Sequence, residues 1–192
     1  MKRILSLLCA LGLILCLCAC GNSEADRTYE NEAIGIGCLV TSNWKYYSQQ
    51  EIQALNDTAV EMAGAEYDQV VDNTTLMYAS RKGGQDNICL STEKSDGSTL
   101  TTEGLMDSLK DSVPAIQKAY EDMGGYGFQY EISPIAIGDQ EFACMYTSAN
   151  VADVSVYQAL ICIPYGESIA NLSITTYGEN TISELLSFFY TL

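Results

Sequence analysis

The chain has 192 residues, of which 25 are acidic, nine are basic and none is histidine, so its formal net charge is −16. A surface this negative repels nucleic acid and anionic lipid head groups, and we therefore expect no nucleic-acid partner. Without histidine, neither a Ser-His-Asp nor a Cys-His catalytic group can form, and metal sites with an imidazole ligand are excluded.

The first twenty residues have the pattern of a secretory signal. The apolar run Ile4–Ala19 follows the basic pair Lys2-Arg3 and ends at Leu17-Cys18-Ala19-Cys20. Apart from a mild departure at Cys18, this segment resembles a bacterial lipoprotein signal with its lipobox. The resemblance implies cleavage before Cys20, diacylglycerol on its thiol, and a domain outside the cytoplasmic membrane. A transmembrane helix is the alternative, but the run is shorter than about 20 residues and no basic stop follows it.

The chain then divides into three parts: a signal peptide at 1–19, a lipidated cysteine with a polar tether at 20–30, and a single α+β domain at 31–192. The signal holds two basic residues and no acidic one, so the rest has seven basic residues against 25 acidic ones, a formal charge near −18. Ten extended residues reach about 35 Å, which keeps the domain close to the membrane.

The first half of the domain begins with an alternating strand. Its residues Ile34, Ile36, Cys38 and Val40 share one face, while glycines on the other face leave room for a close neighbour. Trp44 is expected to fill the core at the end of the sheet. A capping box at Ser48–Glu51 then predicts a helix that fades near residues 64–67. Its apolar face comprises Ile52, Leu55, Ala59 and Met62.

A hairpin and a long helix follow. The predicted strands are Thr74–Ser80 and Asn87–Thr92, joined by a solvated tip that contains the basic pair Arg81-Lys82. A helix is predicted from Thr102 to Met123, where Gly124-Gly125 ends it. Pro114 should kink this helix or split it. Its apolar face comprises Leu105, Leu109, Val113, Ile116 and Tyr120.

Residues 126–177 predict an antiparallel meander. The strands are Tyr126–Ile137, Gln140–Ala149, Val154–Ile163 and Ser168–Tyr177, with a favoured turn pair at Gly138-Asp139. Apolar residues occur on both faces of these strands, which indicates cover on both sides of the sheet. One face holds Ile135, Ile137, Phe142 and Tyr146, and the other holds Ile132, Ala143 and Met145. A capping box at Thr181–Glu184 predicts a last helix that places Ile182, Leu185, Leu186 and Phe189 inward and runs to the C-terminus.

The opening Gly35-Ile36-Gly37-Cys38-Leu39-Val40-Thr41-Ser42-Asn43-Trp44, with a capped helix soon after it, resembles the start of PsbP-like domains. The likeness covers about residues 30–192, although Thr41 stands where a proline is usual. It implies an α/β/α sandwich, with helices on both faces of an antiparallel sheet. Members of that family are mostly binding or accessory modules, and no family motif transfers a catalytic, cofactor or metal residue to this chain.

Four cysteines lie in the domain, at Cys38, Cys89, Cys144 and Cys162. They are widely separated and sit among apolar residues, so we expect buried, inert thiols and no CxxC motif. Cys144 and Cys162 lie on successive strands. They face each other if the loop centres on Asp153, whereas Cys144 faces Ala159 if it centres between Val151 and Ala152. A disulfide and four separate thiols both stay open.

Acids and tyrosines are the other residues that could take part in catalysis or binding. The pairs Asp107/Asp111 and Glu121/Asp122 could do acid–base work or hold a hard cation, but solvated helix faces account for them more simply. The turn signals Asp72-Asn73 and Asp96-Gly97 fit no calcium loop. Four of the 13 tyrosines, Tyr46, Tyr47, Tyr165 and Tyr177, fall at element ends, where rings either contact sugars or proteins or complete the core.

Taken together, the sequence favours a non-catalytic binding or accessory module of the cell envelope. Its partners would be membrane lipid through Cys20 and an envelope protein or glycan, without cofactor or metal. A solute-capturing lipoprotein of a transporter is one alternative, although the domain is small for a two-lobed receptor. A carboxylate-based enzyme acting on envelope glycans is another.

Overall fold

The computed structural model describes residues 28–54, 74–83, 86–95 and 100–192. The lipobox, most of the tether, Leu55, Ala59, Met62 and the turn signals at 72–73 and 96–97 lie outside these ranges. The strands are Thr28–Asn31 (β1), Ile36–Leu39 (β2), Trp44–Tyr46 (β3), Thr74–Arg81 (β4), Asn87–Lys94 (β5), Tyr126–Ile137 (β6), Gln140–Val151 (β7), Val154–Tyr165 (β8), Ser168–Tyr177 (β9) and Phe189–Thr191 (β10). The helices cover residues 49–54 (α1), Thr102–Asp122 (α2) and Ile182–Leu186 (α3).

Seven strands form one antiparallel sheet in the order β3-β4-β5-β9-β8-β7-β6, and β1-β2-β10 form a second, smaller one. Helix α2 packs on one face of the large sheet, against β6 and β7. The other face is covered by the small sheet together with α3. The fold is therefore α+β with antiparallel sheets, as predicted, but most of the cover on the second face is strand rather than helix.

Two apolar cores lie on either side of the large sheet. The helix-side core joins Leu105, Leu109 and Ile116 of α2 to Met145 and Leu160 of the sheet. The small-sheet-side core buries the opposite strand faces, and it includes Cys38, Trp44, Ile161 and Ile174. The predicted division of the meander into two apolar faces is confirmed.

The N-terminal strands agree with the predicted pattern and extend it. Ile34, Ile36, Cys38 and Val40 are all buried. On the outer face, a Cβ at Gly37 would overlap the ring of Tyr190, whose hydroxyl donates to Glu30 Oε1 at 2.8 Å. Glycine at this position therefore leaves room for the close neighbour that was expected. The predicted tether was too long, because residues 28–30 belong to β1 and pair with β2.

The predicted capping box is present at the start of α1. Ser48 N donates to Glu51 Oε2 at 2.8 Å, and Glu51 N donates to Ser48 Oγ at 3.3 Å, so the predicted reciprocal cap is confirmed.

Helix α2 runs through Pro114 as one element, and the predicted split is wrong. Buried residues before and after Pro114 hold both halves on the sheet, which outweighs one lost backbone hydrogen bond.

The register between β7 and β8 decides the cysteine question. A two-residue turn at Ala152 and Asp153, both with positive φ, pairs Cys144 with Ile161 and Ala143 with Cys162. Neither predicted loop centre is correct, and the two cysteines lie on opposite faces of the sheet. All four domain cysteines are buried and free, so the interpretation as separate thiols is confirmed.

The C-terminus differs most from its prediction. Helix α3 ends at Leu186, and Phe189–Thr191 pair with β2 instead of continuing the helix. Aromatic and β-branched residues favour this extended pairing, and β2 offers an open edge. The Thr181 side chain makes no cap hydrogen bond, so the predicted second capping box is wrong; Ile182 N donates to Asn180 Oδ1 at 3.3 Å instead.

Candidate functional site: a polar row across the sheet

One polar residue from each of the seven strands lies in a single row across the large sheet. Direct cross-strand pairs connect the members, which we call the polar row: Lys45, Ser80, Asn87, Thr175, Gln158, Thr147 and Tyr130. Side chains two residues further along these strands belong to the helix-side core, so the row lies on that face. Its four central members, Asn87, Thr175, Gln158 and Thr147, are between 2% and 5% exposed.

Gln158 is the hydrogen-bonding centre of the row. Its Nε2 donates to Thr175 Oγ1 at 3.1 Å and to Ser173 Oγ at 3.3 Å. Its Oε1 accepts no hydrogen bond within the described part of the chain, although Gln158 is only 3% exposed. A buried amide oxygen without a donor costs about 1–3 kcal/mol, so this atom marks a place where a donor is missing.

Four tyrosines, Tyr47, Tyr78, Tyr120 and Tyr177, surround the row, and we call them the tyrosine group. The rings of Tyr47 and Tyr78 meet edge to face at 5.0 Å, and Ser80 Oγ donates to the Tyr47 hydroxyl at 3.2 Å. From α2, the Tyr120 hydroxyl lies 3.4 Å from Thr147 Oγ1. These contacts place phenol groups from α2, β4, β9 and the segment after β3 around one polar surface.

Burial raises the pKa of the Tyr78, Tyr120 and Tyr177 hydroxyls and keeps them protonated. It raises the pKa of Tyr78 well above its ordinary value, with smaller contributions from Cys89, Tyr47 and Tyr177. Burial also raises the pKa of Tyr177 to about 12, helped by Tyr120 and Asp86. Tyr177 contributes to the raised pKa of Tyr78, and Tyr120 contributes to that of Tyr177, so Tyr177 lies within electrostatic reach of both. At neutral pH the three phenols offer neutral O–H donors.

The charged groups nearest the row lie beside its β3–β5 part, and they are paired. Asp86 accepts a hydrogen bond from Tyr177 N at 3.1 Å and forms an ion pair with Arg81 Nε at 3.1 Å. Lys45 pairs with Glu51; that contact and the Ser48 backbone lower the Glu51 pKa to about 2. Arg81 is thus held in an ion pair with Asp86, whereas the sequence predicted that it lies in a solvated hairpin tip. The centre of the row carries no charged member.

A second buried polar patch lies beside the row on the same face. Cys162 Sγ lies 3.6 Å from Asn171 Oδ1, and Ser91 pairs across the strands with Asn171. Burial raises the pKa of the Cys162 thiol, and the charge of Glu93 raises it further. Glu93 itself is only 8% exposed. A thiol that resists ionisation is a poor nucleophile, so this patch does not provide an activated cysteine.

The other three thiols are also held protonated, which yields a test. Burial raises the pKa of Cys38 to about 11 and those of Cys89 and Cys144 to about 12. We expect iodoacetamide at pH 8 to leave all four domain thiols unmodified in the folded protein, since the thiolate is the reacting form. In urea all four should react. Mass spectrometry gives the count, and alkylation of any of them in the folded protein at the unfolded rate would contradict this assignment.

The acids considered from the sequence lie on the outer face of α2. Lys110 Nζ contacts Asp107 at 2.8 Å, Lys118 Nζ contacts Asp122 at 2.7 Å, and Gln117 Nε2 donates to Glu121 at 2.8 Å. These are exposed helix pairs, as the simpler interpretation predicted. The described residues contain no group of three Cys, Asp or Glu side chains able to hold a metal ion. Across the same residues, no helix has the length and apolar character that a membrane crossing requires.

Sequence reasoning found part of this site. Tyr47 and Tyr177 were singled out as rings at element ends, and both belong to the tyrosine group. Tyr46 and Tyr165 instead pack on the small-sheet-side core, where the Tyr46 hydroxyl donates to Cys38 O at 2.9 Å. Gln158 and Thr147 were missed. The available signal was polar residues at alternate positions of strands expected to be buried on both faces.

No protein-family model matches the sequence, and no curated protein matches it either. Several solved structures are similar in outline. The solution structure of cyanobacterial PsbP (CyanoP) from Synechocystis is 13% identical with a TM-score of 0.48, over 92% of this chain and 99% of that one. A crystal structure from Bacteroides thetaiotaomicron is 10% identical with a TM-score of 0.48, over 86% of this chain and 48% of that one. LpqN, involved in cell envelope biogenesis of Mycobacterium tuberculosis, is 15% identical with a TM-score of 0.35, over 79% and 75%.

The chain spans about half the length of the Bacteroides protein. The fold class rests on the strand order and helix positions of the molecule itself.

Proposed function

We propose that this chain is a non-catalytic binding module of the cell envelope, anchored to the outer face of the cytoplasmic membrane through acyl chains on Cys20. The lipobox pattern supports the anchor. The observation that carries the binding role is the polar row, in which Gln158 is only 3% exposed and its Oε1 lacks a donor in the described residues. A buried amide oxygen without a donor is suited to accepting a hydrogen bond from a bound partner.

A binding role fits the chemistry of the row better than catalysis. Its central side chains are amides and hydroxyls, which hold ligands but do not act as nucleophiles or bases at neutral pH. Tyr78 and Tyr177 beside it stay protonated, and the nearby Cys162 thiol resists ionisation. Among the exposed acids of α2, Asp107 and Asp122 are engaged with lysines. Neither transporter capture nor carboxylate catalysis is favoured by a specific feature of the described residues.

The binding role can be tested on the full ¹⁵N-labelled chain in detergent micelles. Gln158 side-chain amide signals, identified by their loss in Gln158→Met, should shift when a detergent extract of the producing cell's envelope is added. Gln129 is exposed on β6 and lies on the opposite face of the sheet from its row neighbour Tyr130, so its amide signals serve as the internal control. Unchanged Gln158 signals at saturating extract would contradict the proposed function.

The anchor has its own test. Cys20→Ala should release the protein from membranes or leave it as an uncut precursor, because two or more acyl chains are needed for lasting attachment. Fractionation and mass spectrometry of the N-terminal peptide measure the outcome. Cys18→Ala is the matched control and should still be processed and membrane-bound. A Cys20→Ala protein that is cut and retained like wild type would overturn the lipobox assignment.

A further inference from the structure

Strand β6 is an edge of the large sheet. It stands last in the strand order, so among the described residues it pairs on one side only, with β7. The pairing is regular from the two-residue turn at Gly138-Asp139 back to Gln129. In such a hairpin Ile137, next to the turn, exchanges both backbone hydrogen bonds with the partner strand, and so does every second residue before it. The intervening residues Tyr130 and Ile132 therefore direct their backbone N–H and C=O groups to the open edge.

The middle of this edge lacks the usual protection against pairing. Sheet edges are commonly protected by lysine, proline or a bulge. Strand β6 contains neither lysine nor arginine. Pro134 occupies another outward position, where its missing N–H breaks no bond to β7, and the register shifts between Tyr126 and Gln129. These two features protect only the ends, so residues 129–133 remain a regular segment that can accept a further strand.

The two faces of this segment differ in chemistry. Tyr130 is 55% exposed and lies on the helix side, where its ring stacks on Phe128 with the centroids 6.2 Å apart. Glu131 is exposed and lies on the opposite face. A strand added beside β6 places alternate side chains on these two faces, so one set meets aromatic rings and the other meets a carboxylate. A segment that alternates apolar and basic residues matches this pattern.

The charge distribution also favours a basic partner. All nine basic residues of the chain precede residue 119, whereas nine acidic residues follow it. Strands β6 to β9 therefore contain no positive side chain. Helix α2 packs on β6 and β7, but its lysines Lys110 and Lys118 are paired with aspartates. The resulting field attracts a cationic segment, and it repels a second copy of this chain, whose formal charge is −16.

We propose that the open edge of β6 binds an extended basic segment of another protein by strand addition. The segment forms backbone hydrogen bonds with Tyr130 and Ile132. Its apolar side chains pack on the rings of Tyr130 and Phe128, and its basic side chains lie beside Glu131. The site is two strands away from Gln158 in the sheet, and binding there is independent of binding at Gln158.

The test adds the peptide KVRVKVRV to the full ¹⁵N-labelled chain in micelles of a neutral detergent and measures backbone amide hydrogen exchange. With about 1 mM peptide, the Tyr130 and Ile132 amides should exchange about tenfold more slowly, because the added strand gives them hydrogen-bond acceptors. The Gln129 side-chain amide signals should shift, whereas those of Gln158 should not. The peptide EVEVEVEV has the same alternation with the opposite charge and should cause none of these changes.

Two variants change the two faces separately. Glu131→Lys should weaken peptide binding about fivefold, because it replaces the attracting carboxylate by a like charge. Glu179→Lys is the matched control: it makes the same change in net charge at an exposed residue after β9, and its affinity should stay within about twofold of wild type. Tyr130→Ala should weaken binding about threefold by removing the exposed ring.

Three results would overturn the proposal. The first is unchanged exchange of the Tyr130 and Ile132 amides in the presence of KVRVKVRV. The second is an equal loss of affinity in Glu131→Lys and Glu179→Lys. The third is protection of these amides that grows with protein concentration in the chain alone, which would assign the edge to a second copy. Should Glu131→Lys fail to fold, wild-type exchange and Tyr130→Ala still decide. The Gln158 signals in envelope extract test the proposed function separately, so either can fail alone.

Discussion

Trp44→Ala should lower the free energy of unfolding by about 3–5 kcal/mol, the cost of deleting a buried aromatic side chain. Trp44 lies on an edge strand yet is only 3% exposed. Its ring meets Phe188 edge to face at 6.0 Å, and the Arg81 guanidinium lies 5.7 Å from its centre. The residue thus connects the large sheet to the segment between α3 and β10, and its loss leaves a cavity where they meet.

Trp44 is the single tryptophan of the chain, so the variant has no tryptophan fluorescence. Urea unfolding is therefore followed by far-ultraviolet circular dichroism. Trp44→Phe is the control, because it keeps an aromatic ring against Phe188 and should lose clearly less. A Trp44→Ala protein within about 1 kcal/mol of wild type would contradict the packing described for this junction.

Gly125→Ala should cost about 1–3 kcal/mol, because it forces an extra carbon into a filled space. A Cβ at this position would lie 2.6 Å from the backbone oxygen of Tyr120. That oxygen also accepts the Gly125 N–H at 2.7 Å, which closes the end of α2. Since the obstacle is backbone, the last helical turn must shift, and the Tyr120 hydroxyl should move away from Thr147.

Chemical unfolding gives the loss, and the same variant should bind the envelope extract more weakly through the displaced Tyr120. Gly124→Asn is the matched control at the neighbouring residue. Gly124 has a φ of +76°, nothing lies within 4 Å of a Cβ there, and asparagine tolerates this conformation. We expect the control to lose under about 1 kcal/mol. Equal losses in both variants would show that the Tyr120 contact does not matter.

The elements predicted best were those whose pattern is local. The alternation of Ile34, Ile36, Cys38 and Val40 reports one buried strand face directly, and all four are buried. The apolar spacing of α2 likewise identified its buried stripe, and Gly124-Gly125 marked its end. In these segments burial, hydrophobic period and capping agree, so a single stretch of sequence suffices to predict the element and its buried face.

The errors arose where tertiary pairing overrides local preference. Pro114 breaks isolated helices, yet α2 is held on the sheet by buried residues on both sides of it. The turn at Ala152 and Asp153 contains no glycine, so its length could not be recognised and the register of Cys144 was misplaced. Phe189–Thr191 became a strand because β2 was available as a partner.

The polar row could not be predicted for a related reason. Its members come from seven strands that are far apart in sequence, and they align only when every register is known. A polar residue such as Gln158 within a buried strand is visible in the sequence, but its neighbours Thr175 and Thr147 are assigned by pairing alone. Register, unlike period, is a property of the whole sheet.

The most direct test of the binding role is the stability of Gln158→Met. Replacing Gln158 with an apolar side chain of similar length removes an unsatisfied buried oxygen, which gains about 1–3 kcal/mol, and also removes the Nε2 hydrogen bonds to Thr175 and Ser173, which costs about 0.5–1.5 kcal/mol each. If the oxygen is retained for a ligand, these two effects should nearly cancel. Urea unfolding without ligand measures this, and we predict a free energy of unfolding within about 1 kcal/mol of wild type. A loss of more than about 3 kcal/mol would show that Gln158 serves the fold itself and would contradict the account.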